Sequence, residues 1–154
     1  MHKFFADLFE GFHALHMEIE QQLGELPEEA LDWQPGPGMN SVNVLMTHLF
    51  GAERYWIGDV ARGESSHRDR DAEFEAKGLD KAALVRRLKE LDAYVAAALG
   101  SLELADLEQP RRSRLDGHKC TVGWALTHAL EHSATHVGHL QLMSQLWQQK
   151  SGKA

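Results

Sequence analysis

Four histidines crowd one stretch of this sequence. In Thr121 to Trp147, TVGWALTHALEHSATHVGHLQLMSQLW, they stand as His128, His132, His136 and His139. On a helix each residue advances about 100°, so these four fall within roughly 80° of one another, beside Ala125, Ala129 and Met143. Imidazoles bind metals, move protons near neutral pH and contact phosphates. A buried imidazole without a partner costs on the order of 1–3 kcal/mol, so a core-facing row of them requires something that satisfies them. A metal ion would. Two histidines four residues apart rise by about 6 Å along a helix. Their rings can then close on one ion through bonds of about 2.0–2.1 Å.

A third ligand has to come from another helix at the same depth. His48 is the candidate: it sits in SVNVLMTHLFGAERYWIGDVARG, on a face with Val44, Leu45, Ala52 and Tyr55. Three histidines on a divalent metal leave a coordination position open, the pattern of catalytic rather than structural sites. Imidazole suits Zn, Ni and Fe, and Cu as well, so the ligands do not name the metal. Spacing alone leaves His128/His132, His132/His136 and His136/His139 all open as the pair on the last helix.

The rest of the chain has to position these groups. Its 154 residues favour one domain, 1–154, large enough to bury a core. A net charge of −7 argues against a nucleic-acid partner, which needs clustered Lys and Arg; Arg111, Arg112 and Arg114 are too short a cluster to reverse that. No apolar run approaches the roughly 20 residues of a membrane span. The first residues show no signal-peptide pattern. A single cysteine, Cys120, excludes an intrachain disulfide and fits a reducing cytoplasm.

Hydrophobic periodicity predicts four helices. Phe5, Leu8, Phe12, Leu15 and Ile19 make a stripe over about 2–24, before Gly24 and Pro27. The second helix, about 41–63, starts at an Asn40 or Ser41 cap and ends at Gly63. The third, about 80–100, has Asp80 as cap, Leu84, Leu88, Leu91, Val95 and Ala98 as its core face, and Gly100 at its end. The fourth, about 121–148, is the histidine helix, with Val122, Ala125, Ala129, His132, His136, Met143 and Trp147 expected inward. The fold class is all-α: a four-helix bundle with long connections, and with RRSRLDGHKCTV as a short β-hairpin or irregular loop before the last helix.

Several residues read more plainly. His13 and His16 lie beside the first stripe and are taken as structural or solvated. His67 falls in a charged segment, 64–79, expected to face solvent, with a helical turn near Phe74. Trp33, in the long connection 25–40, either plugs the packing or lines a cavity. Cys120 is expected to act as a small apolar residue. Glu53 and Glu131 are the nearest carboxylates that could orient the imidazoles, yet neither falls on the expected inward face.

Two stretches resemble a known family. SVNVLMTHLFGAERYWIGDVARGE and TVGWALTHALEHSATHVGHLQLM are similar to the DinB/YfiT-like superfamily, and the likeness in architecture extends over most of the chain. That family is a four-helix bundle with a three-histidine divalent-metal site. Its H-L-x-x-A-E-x-x-W pattern matches His48 through Trp56. Its HxxxH, with a glycine two positions later, matches His132, His136 and Gly138. The resemblance thus implies His48, His132 and His136 as metal ligands. It leaves His128 one turn before the site and His139 where many members carry glutamine. The common H-H-R-G-Q form reads Thr135-His136-Val137-Gly138-His139 here, without the arginine.

The resemblance also implies function. Relatives include metal-dependent S-transferases that use a low-molecular-weight thiol, bacillithiol or mycothiol. Such a metal would stabilise a thiolate or activate a water. Arginines that hold a phosphate or carboxylate would stand at the mouth, with Arg111, Arg112 and Arg114 the nearest in sequence. The alternative of a different class is a metal-binding or stress-related bundle without catalysis, a homodimer through its helix faces.

Overall fold

The computed structural model describes residues 1–152. Helices α1 (Lys3–Glu25), α2 (Val42–Arg54), α4 (Lys81–Gly100) and α5 (Val122–Lys150) form the bundle, and α3 (Arg70–Glu73) is a single turn between α2 and α4. α1 packs on α4 and α5, and α2 packs on α5 and α4. No described helix is long and apolar enough to cross a membrane.

Each bundle helix begins where a side chain takes up free amide protons. Ser41 accepts from the Val44 amide, Asp80 from Ala83 and Thr121 from Trp124; at α1 the His2 ring accepts from Phe4. The apolar stripes then meet. Phe5, Phe12, Ile19 and Leu23 of α1 are fully buried against Leu84, Leu88, Val95 and Leu99 of α4 and the inner faces of α2 and α5. Each such side chain stabilises the bundle by roughly 1.5–3 kcal/mol.

The helical path predicted for 41–63 changes pitch within its span. Tyr55–Ala61 continues α2 as a π-helix. A Cβ at Gly58 would overlap the Arg54 guanidinium and the Tyr94 hydroxyl, which bond each other at 2.9 Å. The glycine is what lets α4 and this widened turn approach. The wider turn ends with Ala61 and Val60 still buried.

The connection from α1 to α2 is tied down rather than loose. Leu26 and Leu31 are buried, and Asn43 donates to Asp32 at 2.7 Å and to the Leu79 carbonyl at 3.1 Å. Trp33 packs edge-on against Trp147, with ring centres 5.3 Å apart, which settles it as a packing residue. Before α5 the chain forms a hairpin: β1 (Pro110–Arg112) pairs antiparallel with β2 (Lys119–Thr121), Arg111 opposite Cys120. Burial is the largest influence on the Cys120 thiol and raises its pKa despite the facing Arg111, so it is not an activated nucleophile.

On α5, Val122, Ala125, Ala129 and Met143 are buried as expected, but the core face is broader than the expected stripe. Leu126, Ser133, Val137 and Leu140 are buried, while His132, His136 and Trp147 are only half-buried. The histidines therefore line the edge of the core, where the seam between α2 and α5 opens.

Candidate metal centre

His48 comes from the middle of α2, and His132 and His136 from successive turns of α5. Their Nε2 atoms converge. That of His132 lies 3.2 Å from His48 Nε2 and 3.3 Å from His136 Nε2. Two metal–nitrogen bonds of about 2.1 Å at a near-tetrahedral angle would place their donors about 3.4 Å apart. Among the described residues this is the one group of three or more His, Cys, Asp or Glu whose ligand atoms gather this closely, all within 4.8 Å.

Protons alone do not satisfy the cluster. Glu73 Oε2 accepts from His48 Nδ1 at 2.9 Å, which fixes the His48 proton on Nδ1 and aims the Nε2 lone pair at the other two rings. Either His132 Nε2 also presents a lone pair to it, or one N–H must serve two acceptors. One cation satisfies all three. Burial first, then the neighbouring imidazoles, push His132 down to about 3 and His136 down to about 4, so both rings are neutral near pH 7 and offer lone pairs. The donor set fits a divalent ion. His139 Nδ1 lies 3.4 Å from His136 Nδ1, whereas His132 Nδ1 is buried without a partner.

Behind His48 stands a rigid support. Arg68 grips the Glu73 carboxylate with two hydrogen bonds, Nε to Oε1 at 2.6 Å and Nη2 to Oε2 at 2.7 Å. Phe74 packs on the His48 ring at 5.0 Å. Burial alone would raise the Glu73 pKa, yet the bonds from Arg68 and His48 lower it, and the carboxylate stays ionised. Gly51 makes room for this: a Cβ there would overlap Glu73 Oε1.

A second buried network sets the rotation of the helices. Glu53 of α2 is 1% exposed and accepts from His16 Nε2 of α1 at 2.9 Å and from the Ser133 hydroxyl of α5 at 2.6 Å. The other His16 nitrogen donates to Asp92 of α4 at 2.7 Å. With a carboxylate at each nitrogen, His16 is an imidazolium. Burial alone would push its pKa down, but Glu53 and then Asp92 carry it above the ordinary value. The network joins all four bundle helices and anchors α5 at the residue next to His132.

Above the triad lies a cavity of about 400 Å³, with His48 and His132 among its walls. Ala52, Trp56 and Leu115 supply apolar surface, and Arg68, Arg70 and Asp116 bring charge. The hairpin wall is pinned by Tyr55. Its buried hydroxyl accepts from the amides of Arg114 at 2.8 Å and Leu115 at 3.2 Å, and so donates to Ser113 Oγ at 3.0 Å. His128 also lines this cavity, its ring stacked on Trp124 at 4.7 Å.

Over residues 1–153 the sequence matches DUF1572, described as a protein of unknown function. The chain belongs to this DinB-like family. No curated protein matches it. Solved structures with the DUF1572 chain's fold include YfiT from Bacillus subtilis, described as a probable metal-dependent hydrolase with an unusual four-helix bundle topology. The two share 17% identity at a TM-score of 0.77, over 100% of this chain and 91% of that one. A DinB-like protein from Bacillus subtilis gives 18% and 0.70, covering 90% of each chain. A conserved protein from Enterococcus faecalis gives 16% and 0.76, covering 95% of this chain and 98% of its own. At these identities the likeness is one of fold, and it places the DUF1572 chain among DinB/YfiT-like four-helix bundles.

The DUF1572 sequence pointed elsewhere for several residues. Glu53, expected off the inward face, is buried because His16 and Ser133 supply its hydrogen bonds. His13 and His16 are structural or solvated as expected: His16 is buried and charged, and His13 stays exposed and bonds Asp92 at 3.0 Å. The segment 64–79, expected to face solvent, contributes Arg68, Arg70 and Glu73. His67, at φ +52°, turns the chain just before Arg68. None of the three arginines expected at the mouth lines this cavity. Arg111 bonds the Ala61 carbonyl and Gln109, Arg112 bonds the Gly117 carbonyl, and the side chains lining the cavity are those of Arg68 and Arg70. No hydrophobic period marks 64–79; only Phe74 hinted that a neighbour such as Glu73 turns inward.

Proposed function

We propose that this chain is a metal-dependent enzyme whose divalent ion is held by His48, His132 and His136, and that it transfers the sulfur of a low-molecular-weight thiol to an electrophile. The convergence of three Nε2 lone pairs at 3.2 and 3.3 Å, with Glu73 fixing the His48 tautomer, carries this reading. When bound, the metal supplies a Lewis acid that favours deprotonation of a thiol or a water.

The protein's own groups favour the thiol. The two carboxylates beside the cavity are committed: Glu73 to Arg68 and His48, and Asp116 to holding its charge below the usual carboxylate range, chiefly through the Ser113 hydroxyl and the His118 amide. Neither is set up to take a proton. A thiol, with a pKa of about 8.5, needs far less help to ionise than water, whose pKa lies far higher. Trp56 and Leu115 give the cavity apolar surface, and Glu73 keeps the His48 proton on Nδ1. The transfer forms a carbon–sulfur bond, breaks the bond to the leaving group and releases the thiol proton to solvent. YfiT's description as a probable hydrolase supports the second reading, in which water takes the place of the thiol.

The test is turnover of a chromogenic electrophile such as 1-chloro-2,4-dinitrobenzene by metal-replete protein, with cysteine or another small thiol. Thiol-dependent product that disappears on His132→Ala is expected. Ester hydrolysis without any thiol dependence would favour the water reading, and no turnover of either kind would overturn catalysis.

A further inference from the structure

The cavity above the triad carries two opposite charges that do not neutralise each other. Arg70, exposed at the start of α3, touches the Phe74 ring and forms no ion pair among the described residues. Asp116, in the hairpin turn, also forms none. Arg68 contributes little net charge, because Glu73 matches it.

Asp116 is not a casual surface group. Its carboxylate accepts from the His118 amide at 3.0 Å, and it stands beside Ser113, which is 1% exposed and is oriented by the buried Tyr55 hydroxyl. Because the Tyr55 proton goes to Ser113 Oγ, the Ser113 proton is free to face Asp116. Asp116, exposed at the rim, thus shares the cavity lining with the exposed Arg70 guanidinium and with His48 and His132.

We propose that this cavity selects a small zwitterion of the α-amino-acid type, its ammonium paired with Asp116 and its carboxylate with Arg70. Its third substituent, a thiol or an amide, then faces His48 and His132. Only that last clause rests on the metal-enzyme reading. A ligand of one charge makes only one of these two charge-assisted contacts and so binds more weakly than a zwitterion that makes both. Trp56 and Leu115 accept the carbon body between the charges.

Calorimetric titration at pH 7 of metal-loaded protein tests this with L-cysteine, cysteamine, which lacks the carboxylate, and 3-mercaptopropionate, which lacks the ammonium. Cysteine is expected to bind about tenfold tighter than either, the loss of one charge-assisted bond. Arg70→Gln should bring cysteine to the level of cysteamine without altering cysteamine itself. Asp116→Asn should bring it to the level of 3-mercaptopropionate. Equal affinities for the three thiols, or variants that weaken all three alike, overturn the proposal. The same comparison on metal-free protein with L-serine, ethanolamine and lactate separates the two readings. A zwitterion preference there upholds the charge pair even if the histidines hold no metal, and its absence in both series overturns it.

Discussion

Glu73 and His48, twenty-five residues apart, meet at 2.9 Å between Oε2 and Nδ1, and the same carboxylate is gripped on both oxygens by Arg68. The arrangement gives a core histidine a fixed tautomer, with its Nε2 lone pair facing His132. Glu73→Gln keeps the size of the side chain but loses the charge and an acceptor. Removal of such an outer partner typically lowers metal affinity by about 10–100-fold. Chelator competition should show a fall of that order, with helical content unchanged. An unchanged affinity would mean that Glu73 only packs.

Gly51→Ala probes the same support from the other side. Alanine favours a helix over glycine by about 1 kcal/mol, so propensity alone predicts a more stable protein. Here the added Cβ would overlap the Glu73 carboxylate and crowd Arg68. The expected outcome is weaker metal retention in the same direction as Glu73→Gln, without the gain in melting temperature. A stabilised variant with full metal affinity would show that Glu73 can retreat without consequence.

The His16 network predicts a pH dependence with two arms. The His16 pKa is raised, so its stabilising contribution is complete below the ordinary histidine value of about 6.5 and is lost as pH rises through the raised one. Asp92 is lowered, with the bonds from His16 and His13 outweighing burial. Its contribution is present above the ordinary aspartate value of about 3.9 and is lost as pH falls through the lowered one. Urea unfolding across this range should show stability declining at both ends. His16→Leu leaves Glu53 buried without a cation and should cost about 3–5 kcal/mol, while removing the alkaline arm. A loss below about 1 kcal/mol, the scale of an exposed ion pair, would contradict an imidazolium there.

The bundle was legible because its signals are local. Ser41, Asp80 and Thr121 cap helices whose leucines, phenylalanines and valines repeat at helical spacing, and that repeat alone aligns His48 with one face of α2. The meeting of His48 with His132 and His136 was legible only in part. Spacing left three pairs open on α5, and the family resemblance chose among them. The turn that carries Glu73 was legible near Phe74, but the roles of Glu73, Arg68 and Arg70 were not. These three come from a segment without hydrophobic period, and their placement depends on Gly51, the turn at His67 and the single helical turn of α3. Glu53 was misplaced for a related reason: an apolar pattern assigns carboxylates to solvent, and only the contact with His16 and Ser133 reverses that. Gly138, part of the matched pattern, has open space where a Cβ would stand, so packing does not account for it.

Flanking histidines provide the contrast that a ligand assignment needs. His128 stacks on Trp124, and His139 is exposed beside His136. Neither directs a nitrogen into the convergent group. His128→Ala and His139→Ala should each leave metal stoichiometry intact, as read by elemental analysis of the purified variants. Loss of the ion from either would move the centre along α5.

The most direct measurement is the metal content of folded wild-type protein against His48→Ala, with helical content confirmed by circular dichroism. The account predicts about one divalent ion per chain in the wild type, the stoichiometry of a single-ion site. It predicts a large loss in the variant, because the remaining pair on α5 lacks its third donor. Equal metal in the two proteins, or none in a wild type offered Zn, Ni and Fe, would contradict it.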